Sequence, residues 1–329
     1  MKIVNPKASL VAMEDYSHTE LMETCGRLCY KSEDKITPGS AEKFIDFAFK
    51  KKHGSVTEFA VFTLAINASI ENIDSLMRTE QKYLIIDNMS EAIGEILVTG
   101  TVRAWREAFK RHPENFILRQ SIRFLKKQSP ILFQGLDPLQ DLTGGHFIVN
   151  VISAAELDLM FIPRIKARHR FAMIWWTVSR AVSHELVRHR PVSWLQESQR
   201  YCRYSDDKFG SEVSFIEPGG AFPVLLRTSL ENNNHVERRS HWLNQMQRAE
   251  FAYLDMLRLG SSPQEARLVL PNSCKTELVM MATLEEFQIF FGLRLPKTAE
   301  PSMREVTHMV YPEFNRKWPL LFQPLEYCI

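Results

Sequence analysis

A near-apolar run, Phe171 to Val178, empties directly into a stretch crowded with cations. Between Ser179 and Tyr204 lie Arg180, His184, Arg188, His189, Arg190, Arg200 and Arg203, interrupted by Ser193, Gln196 and Ser198. The run is far short of the roughly 20 apolar residues that cross a bilayer, so it reads as a strand buried in protein. A helix follows from Ser179, which Pro191 must stop. On that helix Arg180, His184 and Arg188 are four apart and share one face. So many donors beside a buried strand call for an anion. Arginine supplies planar paired donors for phosphate oxygens, and the serine hydroxyls can complete the shell. A solvated basic face is the bland alternative, and the apolar run that feeds the cluster argues against it.

The rest of the chain confines this anion site to a local feature. Lysine plus arginine number 41 against 39 acidic residues, so no global field draws the protein to nucleic acid or to an anionic membrane. Met1 to Leu10 has no apolar signal-peptide core, which points to a cytoplasmic protein. Five cysteines, Cys25, Cys29, Cys202, Cys274 and Cys328, form no CxxC pair and suit a reducing compartment.

Periodicity predicts helices over Ser17 to Tyr30 and Ala41 to Lys52, a turn at His53-Gly54-Ser55, and a strand over Glu58 to Ile66. From Asn67 to His146 the pattern loosens. It includes a helical stretch near Ser90 to Arg111, a basic one near Glu114 to Lys127 and a Gly/Pro/Asp-rich link, Gln134 to Gly145. This reads as an insertion at about 67–146 in a single domain covering 1–329. Strands follow at Phe147 to Ile152 and Thr276 to Ala282, and a long helix at Val236 to Leu259. Ser262-Pro263-Gln264-Glu265 and Thr283-Leu284-Glu285-Glu286 are capping boxes, the second opening a helix to about Arg294. A further helix starts at Pro301. Interleaved strands and helices without repeats indicate one mixed α/β (α+β) domain.

Three rival chemistries compete with an anion site. His184-Glu185-Leu186-Val187 begins like the HExxH zinc helix, but Arg188 stands in the fifth position and His189 is out of register, so no metal is expected. Cys202 could be a nucleophile with a pKa lowered by neighbouring arginines. No histidine lies just downstream of it, and a buried inert thiol fits better. Arg168-His169-Arg170 duplicates the Arg188-His189-Arg190 triplet but lacks downstream serines, so it reads as a basic surface turn.

Arg188-His189-Arg190-Pro191-Val192-Ser193-Trp194-Leu195-Gln196-Glu197-Ser198-Gln199-Arg200 resembles the RHRxxSxxxxSxR signature of flavin-dependent thymidylate synthases, with every fixed position filled. Five further segments are similar to the same family in the same order. They are Arg27 to Ser32, His53 to Glu58, Ser183 to Val187, Glu265 to Pro271, and Phe291-Gly292-Leu293-Arg294. Thr99-Gly100-Thr101-Val102-Arg103-Ala104-Trp105 resembles a stretch in the insertion of the longer members.

The resemblance implies a central, largely antiparallel sheet flanked by helices, with a mostly helical insertion, in a homotetramer whose sites are shared between subunits. It implies methylation of dUMP to dTMP with methylenetetrahydrofolate, FAD and NADPH, without a cysteine nucleophile. By motif position Arg294 would polarise the pyrimidine. Glu185, Arg188, Gln196, Glu197, Ser198, Gln199, Arg200 and Arg267 would join it in holding dUMP. His53, Ser55, Arg188, His189, Arg190, Gln196, Thr283, Glu285 and Ile289 would hold FAD. Four positions depart from the family's usual flavin-side residues. Thr283 and Glu285 replace an asparagine and an arginine, Ile289 a histidine or asparagine, and Glu300 a histidine or glutamine. Each change removes a donor or adds negative charge. A homologue that binds nucleotide or flavin for a structural or regulatory purpose is the alternative to an active synthase.

Overall fold

A computed structural model describes residues 1–79, 82–90, 94–138, 145–205, 210–217 and 234–324. The N-terminal part contributes β1 (Lys2–Val4), β2 (Lys7–Leu10), α1 (His18–Tyr30), α2 (Ser40–Lys50), β3 (Val61–Ala68) and α3 (Ile70–Arg78). Next come β4 (Ile85–Ser90), β5 (Glu95–Thr101), α4 (Val102–Arg111), α5 (Phe116–Gln128), β6 (Phe147–Ile152), α6 (Ala154–Leu159) and α7 (Pro163–His169). The cationic region spans β7 (Phe171–Ser179), α8 (Arg180–Leu186), β8 (Ser193–Gln196) and β9 (Ser214–Ile216). The C-terminal part holds α9 (Asn234–Arg258), α10 (Pro263–Ala266), β10 (Lys275–Thr283), α11 (Leu284–Arg294) and α12 (Pro301–Lys317).

The strands form two four-stranded antiparallel sheets, ordered β2-β7-β10-β8 and β4-β5-β3-β6, and a parallel β1-β9 pair. Helices flank them, as the mixed α/β expectation required. β7 and β10 pair over their whole length, from Phe171 opposite Thr283 to Ser179 opposite Lys275. Successive strand side chains point to opposite faces. Met173 therefore packs with Leu21, Cys25 and Leu28 of α1, while Ile174, Trp176 and Val178 pack with Phe287, Phe290 and Phe291 of α11 and Phe314 of α12. Burial on both faces is why Phe171 to Val178 shows no polar alternation.

Helix ends follow the capping chemistry. Ser17 with Glu20 and Ser262 with Glu265 form complete boxes. At Thr283 only one arm forms: Thr283 Oγ1 accepts from the Glu286 N–H at 3.2 Å, while the Glu286 carboxylate turns toward His189. Two other local expectations are corrected. Residues expected to be helical near Ser90 to Arg111 divide into β5 and α4, because Ile96, Leu97 and Val98 are buried in the sheet and Thr101 caps the helix by accepting from the Ala104 N–H at 3.1 Å. The helix from Ser179 ends at Leu186, ahead of Pro191.

The Arg168-His169-Arg170 triplet is not a surface turn. His169 is 0% and Arg170 4% exposed. His169 Nε2 lies 2.8 Å from Asp87 Oδ2 and Nδ1 lies 2.7 Å from Thr99 Oγ1. Arg168 donates to Asp87 Oδ1 at 2.9 Å and Arg170 to Asp158 at 3.2 Å. These carboxylates supply the compensation that buried cationic groups require.

Candidate active site

β7 ends at Ser179, which caps α8 by accepting from the Val182 N–H at 3.3 Å. The first turn of α8 is tied to the segment entering β10, with the Arg180 N–H donating to the Cys274 carbonyl at 2.9 Å and the Ala181 N–H to Asn272 at 3.1 Å. α8 therefore starts at a fixed height on the sheet. Arg180 Nη2 and His184 Nε2 lie 3.3 Å apart, as their four-residue spacing requires. Beyond Leu186 the chain leaves the helix, with Arg188 and Arg190 exposed and His189 buried between them.

Arg294 comes from the last turn of α11, where the free carbonyls favour a cation. Its Nη1 lies 4.0 Å from Glu185 Oε2, and its buried Nε has no hydrogen-bond partner. His189 packs edge-on against Phe290 with ring centroids 5.3 Å apart. Its Nε2, also buried without a hydrogen-bond partner, faces Glu286 at 3.8 Å. Burial pushes the His189 pKa down, and the Arg294 charge adds to the shift. Burial also raises the Glu286 carboxyl, with Glu285 adding. Two buried nitrogens without a hydrogen-bond partner, with exposed Arg188 and Arg190 flanking His189, form a donor set that fits an anionic, planar ligand.

β8 carries the next candidates. Gln196 Nε2 donates to Ser183 Oγ at 3.0 Å and to Thr276 Oγ1 at 3.1 Å, locking β8 to α8 and β10. The Ser198 N–H donates to the Cys29 carbonyl at 3.0 Å, Gln199 Nε2 to Cys274 Sγ at 3.4 Å, and the Arg200 N–H to Ser198 Oγ at 3.4 Å. Arg200 is exposed, with its guanidinium 5.6 Å from the Tyr201 ring centre. The Tyr201 ring meets Tyr30 at 5.2 Å, and Tyr30 Oη lies 2.8 Å from His53 Nδ1. Ser55 is exposed in the turn after His53.

Glu197 lies behind this row, 2% exposed and fully engaged. Its Oε1 accepts from Tyr204 Oη at 2.9 Å, and its Oε2 accepts from Lys275 Nζ at 3.1 Å and the Glu277 N–H at 3.3 Å. Glu277 in turn pairs with Lys275 and with Lys31, the latter at 2.9 Å. Burial would raise the Glu277 carboxyl, but Lys275 and Lys31 outweigh it and hold the pKa at about 2. Sequence reasoning missed this frame. Lys275 and Glu277 share one face of β10 by period two, but Glu197 is about 80 residues away in the chain.

The remaining candidates are more scattered. Thr283 is buried as the cap of α11, whereas Glu285 and Ile289, one turn apart, are exposed on its outer face. Arg267 is half-buried in the short turn after α10. Cys202 is 0% exposed among Tyr204, Phe215 and Tyr253, which fits the buried-thiol expectation. No group of three or more histidine, cysteine or acidic side chains is arranged to hold a metal ion among the described residues, and no described helix is long and apolar enough to cross a membrane.

The sequence model of the thymidylate synthase complementing protein family matches residues 11–81 and 168–320. The chain belongs to this family. Flavin-dependent thymidylate synthases from Pyrococcus furiosus and Geobacter sulfurreducens are similar to it, at 30% identity over 139 residues and 33% over 127. These alignments cover 42% and 39% of this chain and 52% and 48% of the relatives. The enzyme of the same description from Saccharolobus solfataricus is 27% identical over 146 residues, 44% of this chain and 50% of its own. The chain thus spans about half the length of the curated relatives it matches. The family match encloses α8, β8, β10 and α11 and leaves out 82–167, where β4, β5, α4, α5, β6 and α6 lie.

Proposed function

We propose that the chain is a flavin-dependent thymidylate synthase that converts dUMP to dTMP with methylenetetrahydrofolate, FAD and NADPH. The observation that carries the reading is the complete Arg188 to Arg200 signature together with Arg294, whose buried Nε has no hydrogen-bond partner, and with buried His189, whose Nε2 faces Glu286 without a hydrogen bond. When bound, FAD would supply the redox chemistry, taking reducing equivalents from NADPH and passing them on to the substrate. His189, Arg188, Arg190, Gln196, His53 and Ser55 are the residues that would hold it, with Thr283, Glu285 and Ile289 on the α11 side.

Arg188 and Arg200 offer the paired donors that a nucleotide phosphate takes, and both guanidinium groups are exposed to receive it. Gln196 commits its amide nitrogen to Ser183 and Thr276, leaving its carbonyl for a ligand. Arg294 would stabilise negative charge as it develops on the pyrimidine and favour the ring deprotonated at N3. A fixed cation in a site emptied of water needs no reorganisation to do so. Glu185, whose Oε2 lies 4.0 Å from Arg294 Nη1, would help hold dUMP beside it. Glu197, with both oxygens engaged, would act by positioning Ser198 to Arg200. Among the described residues Ser198 Oγ accepts from the Arg200 N–H, and no side-chain base that would make it a nucleophile pairs with it.

The same reading takes the chain as one domain with an insertion at about 67–146, which adds β4 and β5 to β3, and as a cytoplasmic homotetramer acting on small molecules. Purification followed by a visible spectrum tests it first: the protein should be yellow with flavin absorption. Flavin reduced anaerobically by NADPH should then reoxidise on adding dUMP and methylenetetrahydrofolate, with dTMP formed. A colourless protein that gains no absorption when FAD is added, or reoxidation without dTMP, would sink the proposal.

A further inference from the structure

A cleft of about 440 Å³ lies between α1, α2 and the turn after β8, with no assigned role. Three cations line it, Arg27, Lys35 and Lys43, together with Tyr30, Phe47 and Tyr201. Its size falls in the range of small-molecule pockets. Arg27 is already aimed: Glu23 holds its Nε at 2.7 Å and Phe44 lies under the guanidinium at 5.0 Å. Lys35 and Lys43 are exposed at the rim, as are Phe47 at 45% and Tyr201 at 56%. The wall made by Tyr30 and Tyr201 is shared with the candidate site, since Tyr30 meets His53 and Arg200 stands over Tyr201.

We propose that this cleft binds the aminobenzoyl-glutamate end of the folate co-substrate, with Lys35 and Lys43 pairing with the carboxylates of its glutamate chain. The proposal rests on the thymidylate synthase reading above. Exposed aromatic faces suit a flat apolar ring. Two lysines on separate elements act as separate point charges, which match successive carboxylates better than a single phosphate, for which forked arginine donors are the better fit. A glutamate chain extending past the ring would therefore meet one cation after another. The nicotinamide dinucleotide also combines rings with negative charge, so the test must distinguish the two.

The experiment compares methylenetetrahydrofolate carrying one and five glutamates in the FAD-loaded enzyme, for the parent and for the Lys35→Gln plus Lys43→Gln variant. In the parent, the five-glutamate form should have a KM about threefold to tenfold lower, as expected for two exposed charge pairs. In the variant that ratio should fall toward one while the KM for NADPH stays in place. A parent indifferent to chain length, a ratio that survives in the variant, or an effect on NADPH alone would each overturn the proposal. Calorimetric titration of both tetrahydrofolate forms into the same two proteins separates the cleft from the activity. Lysine-dependent preference for the longer chain in a protein that makes no dTMP would retain the cleft and sink the synthase reading. Production of dTMP with no such preference would do the reverse.

Discussion

Arg294 and Cys202 divide the candidate chemistry most sharply. Arg294→Ala removes a cation whose Nε has no partner in the fold. It should lower dTMP formation by roughly a hundredfold or more, the usual cost of deleting a preorganised electrostatic group, with the circular dichroism spectrum unchanged. Cys202→Ser should keep substantial activity, because the thiol is fully buried in a cluster with Tyr204, Phe215 and Tyr253. An equal loss in a folded Cys202→Ser protein would contradict the mechanism. Histidines set the pH response. Burial pushes the pKa of His18, His169 and His189 down, against a Val61 carbonyl at His18 and Asp87 at His169. A depressed histidine makes the folded state bind fewer protons than the unfolded chain, so stability rises with pH there. The contribution is complete above the unfolded value of about 6.5 and is lost as pH falls through the folded values, at up to about 1.4 kcal/mol per pH unit per histidine. Urea midpoints measured from pH 7.5 to 5.5 should fall steadily, and a flat profile would contradict the burial. The His169 site also marks a limit of legibility. The triplets at 168–170 and 188–190 are identical as letters, and only the fold, by bringing Asp87 and Thr99 to one of them, tells them apart.

At the scale of elements, what the sequence revealed depended on whether a signal was local. The α10 capping box, the α1 helix, the central strands and the start of α12 at Pro301 were legible because caps and periodicity lie within a few residues, whereas at Thr283 only one arm of the expected box forms. β5 was not: its interior is buried on both faces, and a short apolar run of that kind cannot be told from helix by period alone. β8, at Ser193–Gln196, is held largely by partners on β10 that no local pattern announces. The unusual flavin-side residues gain a structural explanation here. Glu300 caps α12, with Oε2 accepting from the Met303 N–H at 2.7 Å, and Thr283 caps α11. Glu300→Ala should therefore cost on the order of 1 kcal/mol, seen as a fall of about 1–2 °C in Tm, whatever happens to the flavin. Thr283→Asn retains a capping side chain and should be nearly neutral in Tm. Loss at Thr283 but not at Glu300 would reverse these assignments.

Across the whole molecule, the candidate flavin residues do not all face one enclosed volume. His189 and Thr283 are buried, but Glu285 and Ile289 point outward from α11, with Ile289 50% and the adjacent Leu293 59% exposed. A single chain leaves these apolar side chains in water next to Arg294. A second chain laid over the α11 face would cover them and complete the wall on that side of the flavin, which is how a homotetramer with shared sites would resolve the mismatch. Symmetric assembly repeats one such contact in every copy, so a change on α11 should act on assembly and cofactor together. Light scattering of the parent should give about four times the 38.2 kDa chain mass. Leu293→Asp puts a charge into the covered face and should shift the protein toward smaller species while weakening FAD retention several-fold, with the secondary structure intact. A stable monomer with full activity would remove the need for a partner. A tetrameric Leu293→Asp protein with unchanged flavin affinity would move the shared contact away from α11.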